Sequence, residues 1–184
     1  MCDEYRKEDC VTINVNCGKD HGHHPHPHCK CPAAYLNMYS LLAQPLASAA
    51  AALFEVVGVD SGDFDVSQAN ISGELKIMKK GVYVINWGAN AALQTLAFPV
   101  PAWGFALYLN GAAVPGSGAG ACSITPDEVV THTSGLTLLE LQVGDLLKLV
   151  NISNQPVATI SAPVGLIQPI ASVAMNINLI KELM

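Results

Sequence analysis

A chain of 184 residues has the length of one core plus a tail. Hydrophobic residues make up 51% of it and charged residues only 13%, about half the usual ~25%, so a free monomer would lack the charge to clothe its surface and neighbours are expected to cover much of it. The net charge of −6, with Arg6 as the only arginine, argues against nucleic acid and other polyanions as partners, because counterion release needs clustered Lys and Arg.

The first ten residues, Met1 to Cys10, are charged throughout and no apolar segment follows them, so no secretory signal is expected and synthesis in a cytosol is. No uncharged apolar run reaches the ~18–20 residues of a membrane helix without interruption. The nearest, Tyr35 to Phe54, is broken by Asn37, Gln44 and Pro45. Five of the six cysteines and five of the six histidines fall within residues 1–31. They are Cys2, Cys10, Cys17, Cys29 and Cys31, with His21, His23, His24, His26 and His28 between them. Only Cys122 and His132 occur later, which places a boundary near Cys31–Pro32 and divides the chain into an arm (1–31) and a domain (32–184). The arm is too polar to bury a core of its own. Within it Val11, Ile13 and Val15 fall on one face of an extended segment suited to joining a neighbour's sheet edge.

The domain reads as strands separated by turns. Ala34–Tyr39 is an opening strand, Leu46–Phe54 is Ala-rich and helical on propensity, and Leu75–Met78 leads through Lys79-Lys80-Gly81 into the alternating Val82–Trp87. Trp103–Leu109 ends at Asn110-Gly111, a two-residue hairpin signal because both positions tolerate positive φ. Ala112–Val114 follows, then a Gly-rich surface loop, Gly116–Gly120, which lacks the Lys and the helix of a phosphate loop. Further strands are expected at Val129–Thr133, Thr137–Leu141, Asp145–Ile152 and Ala171–Ile180, with Val143-Gly144-Asp145 as a turn. Short strands at this spacing indicate a sandwich or jelly roll.

Several pieces, in order, resemble the tumour-necrosis-factor-like and complement-type globular heads, above all those of the Bacillus exosporium. They are Ala34–Tyr39, Lys80–Ile85, Leu107–Gly111 followed by Val114–Ser117, Leu141–Leu146 and Ala171–Ile177. The resemblance implies an all-β, TNF-like jelly-roll sandwich behind an extended Cys/His-rich N-terminal arm, commonly a trimer around packed apolar residues. The chain has no Gly-X-Y repeats, so it is not a collagen-stalked filament protein. The arm is similar in plan to the Cys-containing connectors of endospore appendage subunits. That plan implies a self-assembling fibre or lattice protein of a spore surface, made in the mother-cell cytoplasm, whose partners are copies of itself and other spore-coat or exosporium proteins.

The chemistry of the arm admits two functional readings, beside the plain one in which its cysteines stay reduced and solvated. Cys2, Cys10, Cys17, Cys29 and Cys31 suit disulfide crosslinking between subunits once the spore surface meets oxidant. An odd number of cysteines leaves a free thiol, a bond to Cys122 or an intermolecular bond. Alternatively, His21, His23, His24, His26, His28, Cys29 and Cys31 are zinc, nickel or copper ligands by type. The single-residue gap in Cys29-Lys30-Cys31 and the His-Pro alternation are not zinc-finger spacing, and no dedicated cofactor is expected. No catalytic constellation is expected either: His132 reads as a strand or interface histidine, Cys122 as a buried or disulfide-bonded cysteine, and Asp60, Asp63 and Asp65 as a solvated loop without EF-hand spacing. A ligand-binding head, recognising carbohydrate or a receptor, is the remaining alternative.

Overall fold

The computed structural model describes residues 34–93, 102–122, 131–154, 156–160 and 171–183. The arm, its boundary with the domain and all of its cysteines and histidines lie outside the described residues.

Among the described residues the domain contains strands and no helix, in two antiparallel sheets. The first sheet runs, across its wide part, β10 (Thr131–Leu141), β6 (Gly81–Leu93), β13 (Val173–Glu182), β1 (Tyr35–Ser40), β3 (Val56–Asp60). At its far end β12 (Val157–Thr159) takes over from β13 beside the last residues of β6, and β2 (Pro45–Leu46) pairs with β12. The second sheet runs β4 (Phe64–Asp65), β5 (Leu75–Ile77), β11 (Leu146–Asn151), β7 (Ala102–Leu109), β8 (Ala112–Ala113), with β9 (Ala119–Cys122) against the start of β7.

Alternation along each strand directs one set of side chains into the sandwich. From the first sheet these are Leu36 and Met38, then Tyr83, Ile85, Trp87, Ala89 and Ala91, then Val173, Met175, Ile177 and Leu179, all buried. From the second they include Leu75, Ile77, Phe105, Leu107, Leu147 and Leu149. Trp87 and Phe105 bind the layers edge to face at 6.4 Å, as do Phe64 and Tyr83 at 6.0 Å.

The hairpin expected at Asn110-Gly111 is present: Asn110 (φ 52) and Gly111 (φ 84) join β7 to β8 with Leu109 opposite Ala112. Gly144 (φ 95) forms the expected turn before β11. The two strands expected around residues 129–141 are one strand, β10, continuous through Ser134, Gly135 and Leu136; Val129 and Val130 lie outside the described residues.

Two expectations fail. Leu46–Phe54 is not a helix: its backbone groups bond across to other segments, with the N–H groups of Ala49, Ala52 and Phe54 donating to the carbonyls of Asn151, Leu149 and Ala69. Ala49 adopts φ 63, which no helix permits. The alanines there allow close approach to β11, and that outweighs their helix propensity. Gly116–Gly120 is not a surface loop throughout, because Ala119 and Gly120 begin β9 and Ser117 is buried. The Ser117 hydroxyl accepts from the Leu107 N–H at 3.0 Å and donates to the Val114 carbonyl at 2.8 Å, anchoring the segment to β7. Cys122 is therefore in a strand rather than a loop.

Candidate assembly surface

In antiparallel sheets directly opposed residues share a face, so the pairings define the outer surface of the first sheet row by row. One row reads Ser134, Gly88, Ala174, Tyr39, Val56. The next reads Leu136, Asn86, Asn176, Asn37, Val59, and the third Leu138, Val84, Asn178, Tyr35. These three rows contain no charged side chain. Charge begins in the row beyond, with Glu140 and Lys181 opposite Val82, near the Lys79–Glu182 ion pair at 3.2 Å.

The margins of this face are apolar and open. Leu136 is 68% exposed and Leu138 60%. At the opposite margin Val59 is 55% exposed, with Tyr35 beside it. Side chains of this type, sharing one face, mark an interaction surface more clearly than the same number scattered singly. Ile71, Val143 and Met78 are exposed elsewhere, in turns and connections, as are Leu41, Leu42 and Ile152.

Among the described residues β10 pairs only with β6, so along eleven residues its other edge carries unpaired backbone groups. Long flat edges of this kind are usually blunted. The opposite edge, β3, is blunted by an irregularity that leaves Gly58 out of register between Val57 and Val59.

His132 lies on the outer side of β10 and is exposed. Its Nδ1 lies 3.1 Å from Asn90 Oδ1, while Asn90 Nδ2 donates to the Ala171 carbonyl at 2.8 Å. The second bond fixes Oδ1 as the acceptor, so His132 Nδ1 carries the proton. The partner of His132 is thus an amide, in keeping with a strand histidine and not with a base oriented by a carboxylate. Asp60, Asp63 and Asp65 are engaged separately. Asp60 accepts from the Gly62 N–H, Asp63 from the Ser61 hydroxyl and Asp65 from the Ser67 N–H, and the Asp65 carboxyl is held below its usual range by the Ser67 hydroxyl and N–H. No group of three or more metal-ligating side chains converges among the described residues, and among them no helix is long and apolar enough to cross a membrane.

Two shallow grooves open on the second sheet. One, of about 370 Å³, is lined by Ala51, Tyr108, Leu146 and the Glu74–Lys148 pair at 3.0 Å. The Glu74 carboxyl is held below its usual range by Lys148 and the Ser72 hydroxyl, so both charges are already matched. The other, of about 490 Å³, runs over Trp103, Gly104, Gly120 and Ile152 and has no titratable side chain.

No family model matches the chain, and no curated protein matches it. Among solved structures, the globular domain of the zebrafish complement 1qA protein matches with a TM-score of 0.55 at 16% sequence identity, over 82% of this chain and 99% of that one. At this identity the likeness is one of fold. The domain is a jelly roll of the TNF-like, complement-head type, as the resemblance in the sequence implied. Cys2, Cys10, Cys17, Cys29, Cys31 and the histidines between them lie outside the described residues. The residues of the uncharged face were not singled out from sequence as a site, because their adjacency depends on register.

Proposed function

We propose that this chain is a non-enzymatic structural protein that assembles with copies of itself on a spore surface, of exosporium or appendage type, through its jelly-roll head and its cysteine-rich arm. The observation that carries the reading is the uncharged outer face of the first sheet, bounded by the exposed Leu136, Leu138 and Val59 and by the β10 edge, which has no partner strand among the described residues. A solvated head would carry charge there. The arm supplies the second means of linkage. Cys2, Cys10, Cys17, Cys29 and Cys31 crosslink neighbouring subunits once oxidant is present, and Val11–Val15 is patterned to add a strand to a neighbour. Synthesis in the mother-cell cytoplasm and association with other spore-coat or exosporium proteins belong to this reading.

Denaturing electrophoresis of purified assemblies, with and without reductant and with and without chelator, tests it. A ladder that collapses to the 19.3 kDa chain only with reductant is the expected result. Collapse with chelator alone replaces disulfides by a metal held on His21, His23, His24, His26, His28, Cys29 and Cys31. Assemblies that survive both reagents overturn crosslinking through the arm.

A further inference from the structure

Three asparagines occupy the centre of the uncharged face in one row. Asn86 on β6 stands opposite Asn176 on β13, and Asn176 opposite Asn37 on β1, with Leu136 and Val59 at the two ends. Asn37 Nδ2 donates to Asn176 Oδ1 at 2.7 Å. The Asn37 amide also lies over Gly58, where a Cβ would collide with its Oδ1. The absence of a side chain there leaves room for the amide to lie across the sheet.

The row is only partly satisfied internally. Beyond that one bond, Asn176 Nδ2 and both ends of the Asn86 amide make no hydrogen bond among the described residues. Water satisfies such groups on a free face. On a covered face they need partners, because a desolvated donor or acceptor without one is costly. The occupant therefore has to be apolar opposite Leu136, Leu138 and Val59, uncharged, and able both to donate and to accept at the centre. An amide carries a donor and an acceptor together and is complementary to itself, so a copy of the same face meets all three conditions. A carboxylate or an ammonium would meet only half of the central requirement.

We propose that a second copy of this chain docks on the outer face of the first sheet with its own Asn86–Asn176–Asn37 row against this one, and that this polar layer between apolar margins sets the register and copy number of the assembly. The inference rests on the self-assembly reading above and names the residues that give it specificity. A polar layer in an otherwise apolar interface discriminates because any slip in alignment leaves amides facing hydrocarbon.

The test uses the full chain with reductant and chelator present, so that the arm contributes neither disulfide nor metal link. Mass is read by sedimentation velocity across a dilution series, and folding by circular dichroism. Wild type is expected to form a discrete oligomer; a monomer at every concentration overturns both the inference and assembly through the head. Asn86→Asp is expected to weaken association by about tenfold or more at neutral pH. Association should recover near pH ~4, where the new carboxyls protonate. Asn70→Asp, in the exposed connection before β5, is expected to leave it unchanged. Asn86→Leu is expected to remain associated but to spread over more than one copy number, and it decides the matter if the Asp variant does not fold. If wild type is oligomeric and both Asn86 variants reproduce its mass and dissociation constant, the row lies outside the interface. The inference then falls while the self-assembly reading stands.

Discussion

Trp87 leans across the β6–β10 pair onto Gly135: a Cβ built at Gly135 would sit 2.5 Å from the indole Nε1. Gly135 is thus the floor of the buried indole. Gly135→Ala is expected to destabilise the domain by about 1–3 kcal/mol through overpacking, read as a shifted urea midpoint with an unchanged slope. A variant as stable as wild type would show that the ring relocates freely.

Asn110 links the hairpin to the neighbouring turn. Its Nδ2 donates to Asp145 Oδ1 at 2.8 Å and its Oδ1 accepts from the Leu146 N–H at 2.9 Å, while its φ of 52 disfavours most residues. Asn110→Ala loses both bonds and strains the turn, so a loss of about 1–3 kcal/mol is expected. Asn110→Gly should recover the backbone part of that loss but not the bonds, which chemical denaturation of the pair resolves.

Tyr83 predicts an alkaline sensitivity. Burial, then the carboxylates of Asp63 and Glu182, push its phenol up to about 12, and its hydroxyl donates to the Lys79 carbonyl at 2.7 Å. The unfolded phenol titrates near pH ~10. The contribution is therefore fully present below that value and is lost as pH rises from there through the folded value, because the unfolded chain releases its proton first. Tyr83→Phe should flatten stability against pH over that window, at the cost of leaving the Lys79 carbonyl unpaired; an unchanged slope would assign the alkaline loss elsewhere.

Leu107 and Leu138 separate folding from association. Leu107 is completely buried, and Leu107→Ala should cost about 2–5 kcal/mol in thermal or chemical unfolding. Leu138 is 60% exposed on the outer face. Leu138→Ser should change the unfolding free energy of the isolated subunit by less than about 0.5 kcal/mol yet weaken self-association measured by sedimentation.

Much of the architecture was legible because local pattern and tertiary need agree. Val82–Trp87 alternates as a half-buried strand must, and Asn110-Gly111 carries its turn geometry in its residue types. The misread parts are those where small residues serve close packing. Alanines 49–52 look helical until β11 claims their hydrogen bonds. The strand Ala119–Cys122 has almost no side chain to display a period; it exists because the Gly104 and Gly120 backbones approach so closely that a Cβ at Gly104 would stand 2.8 Å from the Ala119 carbonyl. Val56–Asp60 and Val157–Thr159 were also passed over, the first interrupted by Gly58 and the second only three residues long. The asparagine row was out of reach for a different reason. Asn37, Asn86 and Asn176 are far apart in the chain, and nothing in their own neighbourhoods shows that they share a line across the sheet.

The position of β13 between β1 and β6 has a kinetic consequence. It is the last of the described strands in the sequence, yet it occupies the middle of the first sheet. During synthesis β1 and β6 must wait without the strand that joins them, each offering an unpaired edge, and non-local pairing of this sort is slow. Where many copies are made at once, the β13 of one chain can fill the gap in another before its own. The order in which strands leave the ribosome therefore creates a competition between folding within one chain and strand exchange between chains, and crowding favours the second.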